Sequence, residues 1–185
     1  MLTQWNTRAQ NRKFVALIVM LEEQGLKSRS HGMSLDIIHA QAKAIGLPIY
    51  SASATWQDYQ SQFIQLLQKT QALGAETLVT GDIDLMAHAE WNQSVCDKSE
   101  LSLCMPLWQR PRLDIVHEFI RLGFQSIIVT VNLNLGMTVE DLGQVLSLEY
   151  VNELVARGID PCGEAGEFHT TVIDVTIFKH QLSVD

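Results

Sequence analysis

Apolar runs alternate along this chain with segments whose apolar positions recur at helical spacing, a pattern that predicts βα units and a parallel sheet. Residues 14–20 (FVALIVM) are dense enough for a strand buried on both faces, and the polar stretch 22–30 ends it. Ser34 is placed to cap a helix whose Leu35, Ile38, Ala42 and Ile45 share a face, and Gly46 with Pro48 stops it. A strand over 47–52 follows. Trp56, Tyr59, Phe63, Leu66 and Leu67 define the next amphipathic helix, closed by Gly74 ahead of a strand over 77–80. Further on, the pattern predicts a helix over 83–95, a short strand over 101–107, a helix over 113–122 ending at Gly123, and a last parallel strand over 126–131. Beyond Val131 the pattern changes. Residues 132–136 are loop-like, 145–156 hold a short helix capped by Ser147, and the β-rich 171–178 predict a strand or hairpin arm. The expectation is an α/β chain with a parallel sheet over 1–131 and a small α+β region over 132–185.

In open parallel sheets, ligands bind beyond the carboxyl ends of the strands. The loops after Met20, Thr80, Leu107 and Val131 should therefore share one rim. The first offers Arg29 and His31, the second Gly81, Asp82 and Asp84, the third Trp108 and Arg110. Each also has a plain reading: SRSHG as a solvated turn, and Asp82 as a helix cap accepting backbone N–H bonds.

The stretch 158–170, GIDPCGEAGEFHT, is more specific. Gly158, Gly163 and Gly166 permit close backbone approach, while Glu164, Glu167 and His169 bring three titratable groups within six residues. If the backbone is extended from Glu167, that carboxylate and His169 share a face, a spacing suited to proton transfer. These three are the candidate catalytic residues. The plain alternative is a surface turn capped by carboxylates. A zinc site at Cys162 and His169 lacks a second ligand pair with metal spacing, and no pattern shows His169 activating Cys162 as a nucleophile. No metal site is expected.

Charge narrows the partners. A net charge of −8 attracts no phosphate backbone, and no local basic patch stands out, the run Lys27 to Arg29 included. No apolar run approaches the roughly 18 residues of a membrane span. The three cysteines, Cys96, Cys104 and Cys162, form no CxxC pair and make an odd number, which predicts free thiols and a cytoplasmic setting. Neither nucleic acid nor membrane is an expected partner.

Five stretches carry a resemblance: SRSHG at 28–32, GDID at 81–84, Cys96, PLWQR at 106–110 and above all CGEAGEFHT at 162–170. In these the chain resembles the diphthine-ammonia ligase family, the ATP-binding diphthamide synthase domains of the PP-loop ATP pyrophosphatase superfamily. The resemblance runs from about Phe14 to Phe178. It implies a Rossmann-like fold of the adenine nucleotide α-hydrolase kind, with ATP and Mg²⁺, adenylation of a small-molecule or protein carboxylate, and amidation of that carboxylate by ammonia. It further implies that Glu164, Glu167 and His169 handle substrate or ammonia. Met20, Gly81 and Asp82 would lie beside the nucleotide. Arg29, His31, Trp108, Arg110, Gly163, Gly166, Phe168 and Thr170 would line the substrate site.

Two departures qualify it. The family opens with a strand, an SGGKDS-like phosphate loop and a helix, whereas no glycine precedes Gly25 here, so no glycine-based backbone nest precedes the first strand. Leu2, Trp5 and Ala9 resemble the end of that helix, which makes a shortened chain with impaired ATP binding the expectation. The absent strand would lie centrally in the sheet, between 14–20 and 77–80. Buried backbone groups left unpaired cost about 1–3 kcal/mol each, against a typical stability of about 5–15 kcal/mol. An exposed sheet edge also makes self-association an expectation. The second departure is Ala89, where many relatives carry arginine, a possible phosphate or carboxylate contact. The competing functions are a noncatalytic small-molecule or protein-binding module, and a metal-dependent hydrolase built on Glu164, Glu167 and His169.

Overall fold

The computed structural model describes residues 13–182, so the expected helix end at Leu2, Trp5 and Ala9 lies outside the described residues. The chain divides into two compact units, Met1–Gln109 and Arg110–Asp185. The change of pattern after Val131 thus falls inside the second unit.

In the first unit β1 (Leu17–Leu21) leads through α1 (Leu35–Ile45) to β2 (Ile49–Ser53), and the two strands pair in parallel from Leu17 opposite Ile49 to Leu21 opposite Ser53. After α2 (Tyr59–Gln71), β3 (Thr77–Val79) leads through α3 (Met86–Lys98) to β4 (Ser102–Cys104), again in parallel. Among the described residues no ladder joins β1 to β3. Both pairs nevertheless share one core: Met20, Ala54, Leu78 and Leu101 pack with Phe63, Leu66 and Leu67 of α2 and with Val95 and Cys96 of α3. Parallel strands joined through helices are the Rossmann-like α/β arrangement expected from the sequence.

Helix α1 starts and stops where its sequence directs. Ser34 is extended (φ −64°, ψ 149°) and its hydroxyl accepts the Ile37 N–H at 3.5 Å, while Gly46 closes the helix in the left-handed region at φ 79°. Ser34→Ala should therefore cost the first unit about 1 kcal/mol, read as a lower urea midpoint with an unchanged slope. Two other helices start later than the periodicity indicated. Trp56 precedes α2, because Asp58 turns back to accept the Thr55 N–H at 2.6 Å, and α3 begins at Met86.

The second unit contains α4 (Arg112–Arg121), β5 (Gln125–Val131), two short 3₁₀ turns at Leu133–Leu135 and Val139–Asp141, α5 (Leu148–Ala156) and β6 (Phe168–Asp174). Here the expectation of a parallel strand over 126–131 is corrected. β5 runs antiparallel to β6, with Val131 opposite Phe168 and a register shift between Ile128 and Thr130. A buried apolar run looks the same in either pairing; the direction depends on which distant segment returns beside it. The expected arm over 171–178 is likewise shifted, starting at Phe168 and ending at Asp174. Ser147 caps α5 as expected, accepting the Tyr150 N–H at 3.1 Å. The core of this unit gathers Ile128, Phe168, Val151, Leu154 and Ile159. This is the C-terminal α+β part.

Candidate functional site

The GIDPCGEAGEFHT stretch folds as a closed turn built on Asp160. Its Oδ1 accepts the Cys162 N–H at 3.0 Å and its Oδ2 accepts the Glu164 N–H at 3.1 Å. Arg112, at the start of α4, forms an ion pair with the same carboxylate. The Gly163 N–H donates to the Asp160 carbonyl at 3.0 Å, and the Cys162 thiol donates to the Arg112 carbonyl at 3.3 Å. An Asp followed by Pro at the head of a turn is the local signal for this arrangement. Gly163 is required on two grounds: φ is +68°, and an added Cβ would stand 2.7 Å from the Phe168 carbonyl oxygen.

The candidate catalytic groups are not equivalent. Glu164 lies on the exposed side of the turn. Glu167 is buried, and its Oε2 accepts the Ala165 N–H at 3.1 Å while its backbone carbonyl accepts the Asn132 N–H at 2.8 Å. Glu167 sits in a bend ahead of β6, so the extended backbone that would align it with His169 begins one residue too late. Its carboxylate ties the turn together. Within β6, strand alternation puts Phe168 and Thr170 on one face and His169 on the other, and Phe168 enters the core. Arg110 forms an ion pair with Glu118. Among the described residues no three His, Cys, Asp or Glu side chains gather as metal ligands. All three cysteines are free thiols, and burial pushes the Cys96 thiol up to about 11.

The first unit collects a second set of residues at its strand ends. After β1 the SRSHG loop forms a small hairpin in which the Ser28 N–H donates to the Met33 carbonyl at 2.8 Å and the Met33 N–H donates to Ser28 Oγ at 3.0 Å. The Met20 carbonyl accepts the Arg29 N–H at 2.9 Å. The Arg29 guanidinium lies 4.5 Å from the centre of the Trp56 ring, in cation–π range, with Glu23 Oε1 at 3.3 Å. His31 is exposed on this hairpin, and Trp108 lies in the turn after β4. After β3 and Gly81, Asp82 does not cap α3, whose preceding residue is Leu85. Its Oδ1 instead meets His88 Nδ1 at 3.1 Å, and its Oδ2 accepts Asn92 Nδ2–H at 2.8 Å.

A family model for the diphthamide synthase N-terminal domain matches residues 3–103, more than half of the chain. The chain belongs to the diphthamide synthase family. The C-terminal domain model of that family matches residues 111–185, so the two models meet near the boundary between the compact units. Relatives named diphthine–ammonia ligase include one from Schizosaccharomyces pombe, 26% identical across 80% of this chain and 27% of its own length. Another from Bos taurus is 35% identical across 50% of this chain and 36% of its own length. A third, from Danio rerio, is 27% identical across 78% of this chain and 63% of its own length. The chain thus spans less than two thirds of each of these relatives.

Several residues of this diphthamide synthase family member escaped the sequence reading. Asp160 lay inside the recognised stretch without a role, although the Asp-Pro pair announced a turn. Arg112, 48 positions away from Asp160, gave no local signal. Nor did His88 and Asn92, because α3 begins between them and Asp82. One turn of helix brings the two onto the same side.

Proposed function

We propose that this chain serves an ATP-dependent amide ligation of the diphthine–ammonia ligase type, in which a carboxylate is activated by adenylation and ammonia then displaces AMP. The relatives' names supply the reaction class. The observation that carries the reading to this chain is the Asp160-braced CGEAGE turn, a rigid polar loop in which Glu164 is exposed while Glu167 holds the backbone. Such preorganisation lets a site act on a charged reacting centre without reorganising at the moment of reaction. Arg110, Gly163, Gly166 and Thr170 of the second unit are the residues we assign to the carboxylate substrate, a small molecule or a protein. We place the chain in the cytoplasm, in keeping with its free thiols. Among the described residues no helix is long and apolar enough to cross a membrane.

The described residues fit the substrate better than the nucleotide. The Met20 carbonyl already accepts Arg29 N–H, and the Asp82 carboxylate is engaged by His88 and Asn92. ATP, with Mg²⁺ to neutralise its phosphates, would supply the activating adenylyl group. Calorimetric titration with ATP and Mg²⁺ should compare the 185-residue chain with a version carrying an SGGKDS-like strand and loop at its N-terminus. Binding confined to the extended version is the expected result. Equal micromolar binding by both would place the phosphate cradle elsewhere. Binding by neither would overturn the ligase reading in favour of a noncatalytic binding module.

A further inference from the structure

Asp82 follows the C-terminal end of β3, where open parallel sheets place their chemistry. Its two carboxylate oxygens are both directed. Oδ2 accepts from Asn92, a residue 5% exposed, which fixes the carboxylate from beneath. Oδ1 faces His88 Nδ1 at 3.1 Å. An ionised carboxylate has only acceptors, so Nδ1 carries the hydrogen and the neutral ring keeps its lone pair on Nε2. Among the described residues Nε2 has no hydrogen-bond partner, and the His88 side chain is 61% exposed. Asn92, Asp82 and His88 thus form a chain that begins in the buried part of α3 and ends in an oriented, solvent-facing base. Surface histidines paired only for charge do not need the buried amide behind them. The same logic of a carboxylate fixing an imidazole tautomer underlies base catalysis by Asp–His pairs.

We propose that His88, positioned by Asp82 and Asn92, is the proton acceptor for the amine nucleophile; this rests on the ligase reading above. Ammonium gives one proton to His88 Nε2. The freed ammonia forms a C–N bond to the activated acyl carbon, and the leaving group departs with the electron pair of its C–O bond. The excess proton on the new amide nitrogen passes to solvent. His88 becomes imidazolium beside the Asp82 carboxylate, which stabilises the new charge.

Two measurements test this. Nitrogen-15 NMR of the full chain, at a pH where the ring is neutral, should show His88 protonated on Nδ1 and bare on Nε2. Asp82→Ala should lose that bias. Nε2 protonation in the unaltered chain would overturn the proposal whatever the chain does with ATP. The second measurement compares ammonium with hydroxylamine as nucleophile in whichever form binds ATP, using a diphthine-bearing protein as substrate. Hydroxylamine is already neutral near pH 7 and needs no base to free its lone pair. His88→Gln should slow amide formation from ammonium about 100-fold and leave hydroxamate formation within a few-fold. Equal loss with both nucleophiles, or loss with neither, would overturn the base role while leaving the ligase reading intact. No product with either nucleophile from unaltered protein would instead remove the ligase reading, and this role with it.

Discussion

Asp141→Asn is expected to destabilise the second unit by about 3 kcal/mol at neutral pH, the largest loss we foresee for a single polar substitution there. Asp141 is buried at the end of the second 3₁₀ turn, and every direction around its carboxylate is occupied. Arg157 from the end of α5 grips both oxygens at 2.8 Å, Tyr150 Oη donates at 2.5 Å, and the Thr138 N–H donates at 2.6 Å. Losing one partner of a buried, hydrogen-bonded ion pair costs about 3–5 kcal/mol. The lower end applies because the Arg157 side chain, 26% exposed, can regain water. Hydrogen bonding from Arg157 outweighs burial and holds the Asp141 carboxyl well below the usual carboxylate range. The sign of its pH dependence follows. A carboxyl with a lowered folded value contributes fully above the unfolded value of about 4, and less as pH falls towards the folded one. The deficit of the variant should therefore be largest at pH 7 and shrink below about pH 4. Urea midpoints of both proteins across pH 2–7 would read this directly. A deficit constant through acid would mean that Asp141 acts by shape alone.

Gly163→Ala should cost about 3 kcal/mol and disorganise the CGEAGE turn. Two independent penalties combine. The left-handed backbone at φ +68° costs an L-residue about 1–2 kcal/mol, and a methyl 2.7 Å from the Phe168 carbonyl oxygen forces a backbone shift worth about 1–3 kcal/mol. Gly166→Ala is the internal control. It shares the left-handed backbone at φ +86°, but its added Cβ meets nothing within 4 Å, so about 1 kcal/mol is expected. Differential denaturation and amide exchange at Glu164 and Ala165 would separate the two substitutions. Equal effects would show that the contact with Phe168 is relieved cheaply.

Local signals in the sequence were reliable where the physics is local. The Ser34 and Ser147 caps, the Gly46 stop and the helices over 35–45 and 148–156 depend on hydrogen bonds and φ angles spanning a few residues. The strands of the first unit were legible because their apolar runs are short and bounded by turns. The direction of β5 was not, because parallel and antiparallel neighbours bury the same residues. The distinct roles of Glu164 and Glu167 were similarly hidden. Both are carboxylates in one loop, and only the Ala165 N–H shows which one holds the backbone.

The sequence by itself determined that this is an α/β chain, that its CGEAGEFHT stretch marks the diphthamide synthase family, and that Gly163 and Gly166 give that stretch conformational freedom. These follow from periodicity and residue identity, which are properties of neighbours along the chain. The tertiary structure alone decided that Arg112 braces Asp160, that Arg157 and Tyr150 surround Asp141, and that Asp82 orients His88 rather than capping a helix. Each of these pairs is joined by hydrogen bonds between side chains on separate elements or across the start of a helix. Such bonds are set by how the backbone packs, and residue spacing carries no record of them.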